Sequence, residues 1–153
     1  MIGLMKNEVG FLKISVLAVA MGASAFTCGG SDEPDAGTSG PPPLGKVTIR
    51  VLNPKPHTEV RSPVAFELEV DGAELAPANE GGPGKGYFVI AIDGRCTAPE
   101  VEIPKDARHV HLLDGADQAL VNVPLGMRDV CVQVAYGDGR AYQGSASLTL
   151  YVY

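Results

Sequence analysis

Apolar side chains recur at every second position through most of the chain after residue 45. In Val64–Val70, for example, valine, phenylalanine and leucine alternate with alanine and glutamate. A period of two places successive side chains on opposite faces of an extended strand, whereas an amphipathic helix requires a period of about 3.6 residues. The pattern therefore predicts β-strands with one buried face and one solvent-facing side.

Seven such runs are separated by turn signals such as Asp71-Gly72, Asp93-Gly94 and Gly137-Asp138-Gly139. Tyr87–Ile92 is apolar throughout and predicts a central strand covered on both faces. The Gly- and Pro-rich segment 76–86 is expected to be the longest loop. Seven short strands without a convincing helix predict an all-β domain over residues 46–153, an immunoglobulin-like antiparallel β-sandwich of about seven strands.

The first 27 residues have the pattern of an export signal. Lys6 and Lys13 precede the uncharged run Ile14–Thr27, which ends at Cys28. A basic start, a short apolar run and small residues at its end are typical of a signal peptide. The run is too short for a permanent membrane helix, which needs about 20 residues.

Two cleavage sites are compatible with this signal. Ala25-Phe26-Thr27-Cys28 resembles a lipobox, in which case residues 1–27 are a lipoprotein signal peptide and Cys28 receives a covalent lipid such as palmitate. Alternatively, Ala23-Ser24-Ala25 fits ordinary signal peptidase and would release a soluble secreted protein. The lipoprotein is preferred because the cysteine ends the apolar run and a polar, flexible segment follows it.

Residues 28–45 are predicted to be a tether between the lipid and the domain. Gly, Ser, Pro and acidic residues dominate this segment, so it lacks the apolar area to fold alone. The protein is expected to contact the membrane through the lipid on Cys28. No cofactor besides this covalent lipid is expected. Gly29 after the cysteine resembles the sorting signal for the outer membrane, so we expect a cell-envelope location, periplasmic or surface-facing.

Lipidation of Cys28 would leave Cys96 and Cys131 as a pair in an oxidising compartment. Cys131 alternates with the valines of its strand and should face away from the core. A Cys96–Cys131 disulfide is therefore expected to fasten a loop onto the outer face of a sheet, unlike the core-spanning bridge of antibody domains.

Charge and motif content exclude several functions. The chain has a net charge of −6 and no cluster of basic residues, which argues against nucleic acid as a partner. It contains no Gly-x-Ser-x-Gly, no His-Glu-x-x-His and no phosphate-binding loop. We therefore expect a protein that is not an enzyme.

Several short motifs occur in an order that resembles an exported bacterial family, domain of unknown function 4399. They are Ala76-Pro77-Ala78, Gly84-Lys85-Gly86, Ile92-Asp93-Gly94, Ile103–His111 and Gly137-Asp138-Gly139. The resemblance spans roughly Ile49 to Val152 and implies an Ig-like β fold. Family members usually carry further histidines before Ile-Asp and after Gly-Asp, where this chain has Tyr87-Phe88-Val89 and Arg140-Ala141-Tyr142.

His109 and His111 are candidate metal ligands, because residues two apart on a strand project from the same face. Two imidazoles about 6–7 Å apart can chelate copper or zinc, but a stable site needs further ligands. His57 is the only other histidine. The favoured interpretation is that both histidines hydrogen-bond to a neighbouring loop; a periplasmic Cu/Zn-binding module is the alternative function.

Tyr151 and Tyr153 share the polar face of the last strand with Ser147 and Thr149. Exposed tyrosines over such a face can form a platform for a protein or glycan partner. Packing of the two tyrosines against a neighbouring loop remains the simpler alternative. The sequence thus favours a cell-envelope lipoprotein whose Ig-like domain is a non-catalytic binding module.

Overall fold

The computed structural model describes residues 45–153. The predicted signal peptide, Cys28 and nearly all of the tether lie outside the described residues. These described residues contain nine strands and one short 3-10 helix, Ala78–Glu80. The strands are β1 Thr48–Asn53, β2 Glu59–Val60, β3 Val64–Asp71, β4 Glu74–Leu75, β5 Lys85–Ile92, β6 His109–His111, β7 Gln118–Val121, β8 Gly126–Ala135 and β9 Ala141–Val152.

The strands form two sheets, which confirms the predicted all-β sandwich. The smaller sheet has the order β1-β3-β7; the larger has the order β2-β9-β8-β5-β4, with β6 also paired to β5. All pairings are antiparallel except the two-residue pairs β2–β9 and β4–β5. Strands β1, β3 and β7 correspond to A, B and E of an immunoglobulin domain, and β5, β8 and β9 to C, F and G.

Alternating side chains from both sheets fill the space between them. Phe66 of β3, Phe88 and Ile90 of β5, and Leu150 of β9 are at most 2% exposed within one apolar cluster. In β8 the valines at 130, 132 and 134 belong to the same cluster. The two-residue period thus buries one face of each strand, and removal of this apolar area from water stabilises the sandwich.

Two details of the sequence prediction are wrong. The seven predicted runs each contain a strand, but β2 and β4 were not expected, because two-residue strands show no alternation. The longest connection lies between β5 and β6, residues 93–108, not in segment 76–86. In that segment, the backbone amide of Ala76 donates to Gly86 and that of Ala78 donates to Leu113, both at 2.9 Å, so it is held to its surroundings.

Among residues 45–153, none of the helical structure is long and apolar enough to cross a bilayer.

Candidate binding groove on the outer face

The loop 93–108 covers part of the outer face of the larger sheet. Tyr87 and Val89 of β5 project from this face, and Ile103 of the loop packs on them with no exposed surface. Ala135 and Ala141 complete this second apolar cluster. Tyr87–Ile92 is consequently buried on both sides, as its unbroken apolar sequence predicts.

Two connections fasten this loop to β8. Cys96 and Cys131 form a disulfide with an S–S distance of 2.00 Å and a Cα–Cα distance of 5.6 Å, which confirms the predicted pair. The side-chain amide of Gln133, only 3% exposed, accepts from the backbone N–H of Thr97 and donates to its carbonyl, each at 2.7 Å. Cys131 and Gln133 alternate with the core valines, so the bridge lies on the outer face as predicted.

Beyond the disulfide the outer face is open and forms a hollow of about 440 Å³. Its floor is formed by β8 and β9, and its sides by the segment around Pro56 and His57 and by the loop residues Gly94 and Arg95. On the floor, the hydroxyl of Thr149 donates to the carboxylate of Asp129 at 2.7 Å. The backbone amide of His57 donates to the Thr149 carbonyl at 2.8 Å and ties one side of the hollow to β9.

A second hollow of about 270 Å³ lies further along the same strands. Tyr151 of β9 stands opposite Met127 of β8 and beside Glu59 of β2. The exposed fractions of Tyr151 and Tyr153 are 44% and 60%, so both tyrosines lie on the solvent side that the alternation predicts. We call the two adjacent hollows the outer groove.

The charges along the outer groove balance. Glu59 and Asp129 supply two carboxylates, and Arg95 and Arg61 supply two guanidinium groups. The Arg61 guanidinium carbon is 5.6 Å from the centre of the Tyr153 ring, within range of a cation–π contact. Within residues 45–153, Arg95 has neither a hydrogen bond nor an ion pair through its side chain. The outer groove thus offers carboxylate and guanidinium groups that can accept hydrogen bonds from a ligand or donate them to it.

His109 and His111 lie on β6, at the opposite side of the larger sheet from β9. His109 Nδ1 is 2.7 Å from a carboxylate oxygen of Asp106, and His111 Nε2 is 2.9 Å from the carbonyl of Pro104. The hydrogen bond with His109 holds the pKa of Asp106 below its usual value. His111 Nδ1 is buried without a hydrogen-bond partner, and its ring centre is 5.9 Å from that of Tyr87.

These contacts agree with the interpretation that the histidines anchor a loop. His57 lies in the outer groove and is not brought to the β6 pair. In the described part of the chain, no three or more His, Cys, Asp and Glu residues are grouped so that they could hold a metal ion. Metal binding by His109 and His111 stays a prediction.

A cluster of charged residues lies at the turn between β8 and β9. Arg140 donates to Asp138 at 2.6 Å and to Glu100 at 3.0 Å. Burial raises the pKa of Asp138, but hydrogen bonds from the backbone and guanidinium of Arg140 outweigh it and leave this pKa below its usual value. Burial, reinforced by Asp138 and Glu102, raises the pKa of Tyr87. The turn and its ion pairs hold the loop 93–108 beside β9.

The exposed tyrosines and the disulfide could be predicted from the sequence, but the residues that form the sides of the outer groove could not. His57 and Arg95 stand in irregular segments, where no periodic pattern indicates which surface they join. Gln133 carried a signal: it is a polar residue on a largely buried strand, two positions after Cys131, where a buried amide needs a hydrogen-bonding partner.

The fold and the outer groove define an all-β sandwich domain with an open, polar-aromatic surface on one sheet. The family model "Domain of unknown function (DUF4399)" matches residues 64–153, and the chain belongs to this family. No match is found among curated proteins.

Among solved structures, the chain is similar to an endo-beta-1,4-mannanase from Thermotoga petrophila, at 12% identity and a TM-score of 0.39. The match covers 71% of this chain and 20% of the mannanase, so this chain corresponds to about a fifth of that protein's length.

Proposed function

We propose that the protein is a cell-envelope lipoprotein whose sandwich domain is a non-catalytic binding module. In this proposal Cys28 carries the lipid anchor, the outer membrane is the expected location, and the outer groove binds the partner. The 17 residues Gly29–Gly45 are mostly Gly, Ser, Pro and acidic residues, which is the composition of a linker between anchor and domain. In this proposal the domain works near the membrane that holds the lipid.

The observation that carries this proposal is the uncovered part of the outer face. Elsewhere on this sheet, the outward side chains of Tyr87 and Val89 are each 1% exposed and pack with Ile103 of the loop 93–108. At Tyr151, Tyr153 and Met127 the same face stays open, with exposed fractions of 44%, 60% and 65%. Exposed aromatic side chains beside unpaired polar groups are the composition expected of a recognition surface.

The anchor is tested by labelling cells that produce the full chain with radioactive palmitate. The expected result is a labelled protein in the membrane fraction and loss of both label and membrane association in Cys28→Ser. An unlabelled protein whose mature form begins at Phe26 would instead support the secreted alternative.

The binding surface is tested by photo-crosslinking in the same cells. A photoreactive phenylalanine at position 151 is compared with one at position 120, because Leu120 is 73% exposed on the other sheet. We expect a crosslinked product from position 151 and none from position 120. Equal products from both positions would contradict the assignment of the outer groove.

The metal-binding alternative is tested by titrating the full chain with Cu(II) or Zn(II). The proposal expects weak binding that hardly changes in the double variant His109→Ala/His111→Ala. Stoichiometric submicromolar binding that is lost in this variant would make the alternative the better account.

A further inference from the structure

We infer that the ligand of the outer groove is a neutral polysaccharide, held with its sugar rings along strands β8 and β9. This inference rests on the proposed binding function and specifies the partner's chemistry. From Ser147 to Tyr153 the chain advances six residues at about 3.4 Å each, so the outer groove is roughly 20 Å long. Such an open channel suits an extended polymer better than a small enclosed ligand.

The arrangement of side chains matches the two kinds of surface that a sugar ring presents. A pyranose ring has hydroxyl groups at its rim and C–H bonds on its faces. The Tyr151 ring offers an aromatic face, whose negative charge distribution attracts C–H bonds. Asp129 and Thr149 lie next along the same strands and offer a carboxylate and a hydroxyl to the rim of a neighbouring ring.

The balance of charge favours a neutral polymer. Arg61 and Arg95 are offset by Glu59 and Asp129 along the outer groove. The domain from residue 46 to 153 has ten basic and fourteen acidic residues and a net charge of −4. A polyanion would gain no net attraction from this surface and would be repelled by the rest of the domain.

A peptide that adds as an extra strand is disfavoured at this position. The backbone amides of Tyr151 and Tyr153 already donate to Thr58 and Val60, each at 3.0 Å. Strand addition needs free main-chain groups at a sheet edge. The outer groove is a sheet face, so recognition there must use side chains.

A flat protein partner is also disfavoured, because within residues 45–153 the exposed large apolar side chains that line this surface are Met127, Tyr151 and Tyr153. A stable protein interface usually buries about 800 Å² on each partner with a continuous apolar centre. Polysaccharide binding requires less, because each sugar ring can use one aromatic face and a few hydrogen bonds.

The test is affinity electrophoresis of the full chain in native gels that contain one soluble polysaccharide each. The probes are a β-glucan, an α-glucan, a mannan and a xylan, with polygalacturonate as the anionic control. We expect retardation by at least one neutral polymer and none by polygalacturonate. Tyr151→Ala should weaken that binding by about tenfold or more, as expected for an aromatic anchor.

Two further variants test whether a change in retardation comes from the outer groove or from any substitution on the protein surface. Asp129→Asn should also weaken binding, since it replaces a charged acceptor without changing the shape of the floor. Leu120→Ala removes an exposed apolar side chain of the opposite sheet and should leave the retardation unchanged. Circular dichroism checks that each variant keeps its β spectrum.

The inference is overturned if no neutral polymer retards the wild-type chain, if only polygalacturonate does, or if Tyr151→Ala and Leu120→Ala behave alike. A protein crosslinked specifically through position 151 would then leave the proposed binding function standing with a different partner. Failure of both experiments would remove the binding function as well.

Discussion

Removal of the Cys96–Cys131 disulfide should lower the free energy of unfolding by about 4 kcal/mol. The bridge joins residues separated by 35 positions. In the chain-entropy description, closing a loop of this length in the unfolded chain destabilises that state by about 4 kcal/mol at 25 °C. The double variant Cys96→Ala/Cys131→Ala loses this constraint, whereas Cys28→Ser is the control for loss of a cysteine outside the pair.

Urea denaturation of the full chain, followed by circular dichroism, measures the difference. The double variant should unfold at lower urea with a larger m-value, because its unfolded state exposes more surface. Hydrogen exchange provides a local measurement: the amide of Thr97 donates to Gln133 at 2.7 Å, and its protection should fall when the bridge is absent. A stability loss under about 1 kcal/mol with Thr97 still protected would refute this account of the loop.

The remaining predictions concern the core, the loop and the acid stability of the domain. Phe88→Ala leaves a cavity between the sheets and should lower the free energy of unfolding by about 3–5 kcal/mol in urea denaturation; a loss under about 1 kcal/mol would mean that Phe88 is not in a packed core. Gln133→Leu leaves the Thr97 backbone groups unpaired and should cost about 1–3 kcal/mol, whereas Gln143→Leu at an exposed position should change little; equal effects would contradict the role of Gln133. The pKa values of Asp106 and Asp138 lie below the usual 3.8. The ionised carboxylates therefore stabilise the folded state fully above that pH, and this stabilisation is lost as the pH falls through the lowered pKa values. In urea denaturation between pH 7 and pH 2, the free energy of unfolding should fall more steeply with pH in the wild type than in Asp138→Asn; an equal pH dependence in both would contradict this.

Side-chain alternation was sufficient to predict the fold because each long strand has one face in the core. Val64–Asp71 buries Val64, Phe66 and Leu68 and exposes Ala65, Glu67 and Glu69, which is the pattern visible in the sequence. The same parity placed Cys131 and Tyr151 on the outer face. These predictions depend only on local geometry, which a sequence records directly.

The outer groove could not be predicted in full, because its sides depend on where irregular segments cross the sheet. Pro56 and His57 reach β9 through a backbone hydrogen bond at Thr149, and no side-chain pattern encodes that contact. Arg95 is brought to the groove by the disulfide next to it. The sequence predicted that bridge but not which part of the outer face the loop would leave open.

Tyrosine nitration of the full chain, purified and in intact envelopes, tests the central claim that the outer groove is a binding surface. In the purified protein Tyr151 and Tyr153 should react with tetranitromethane, while Tyr87 and Tyr142, 1% and 2% exposed, should stay unmodified. Burial also raises the pKa of both inner tyrosines and disfavours the reactive phenolate. In envelopes, an occupied groove predicts protection of Tyr151; nitration of Tyr151 to the same extent in both preparations would contradict the account.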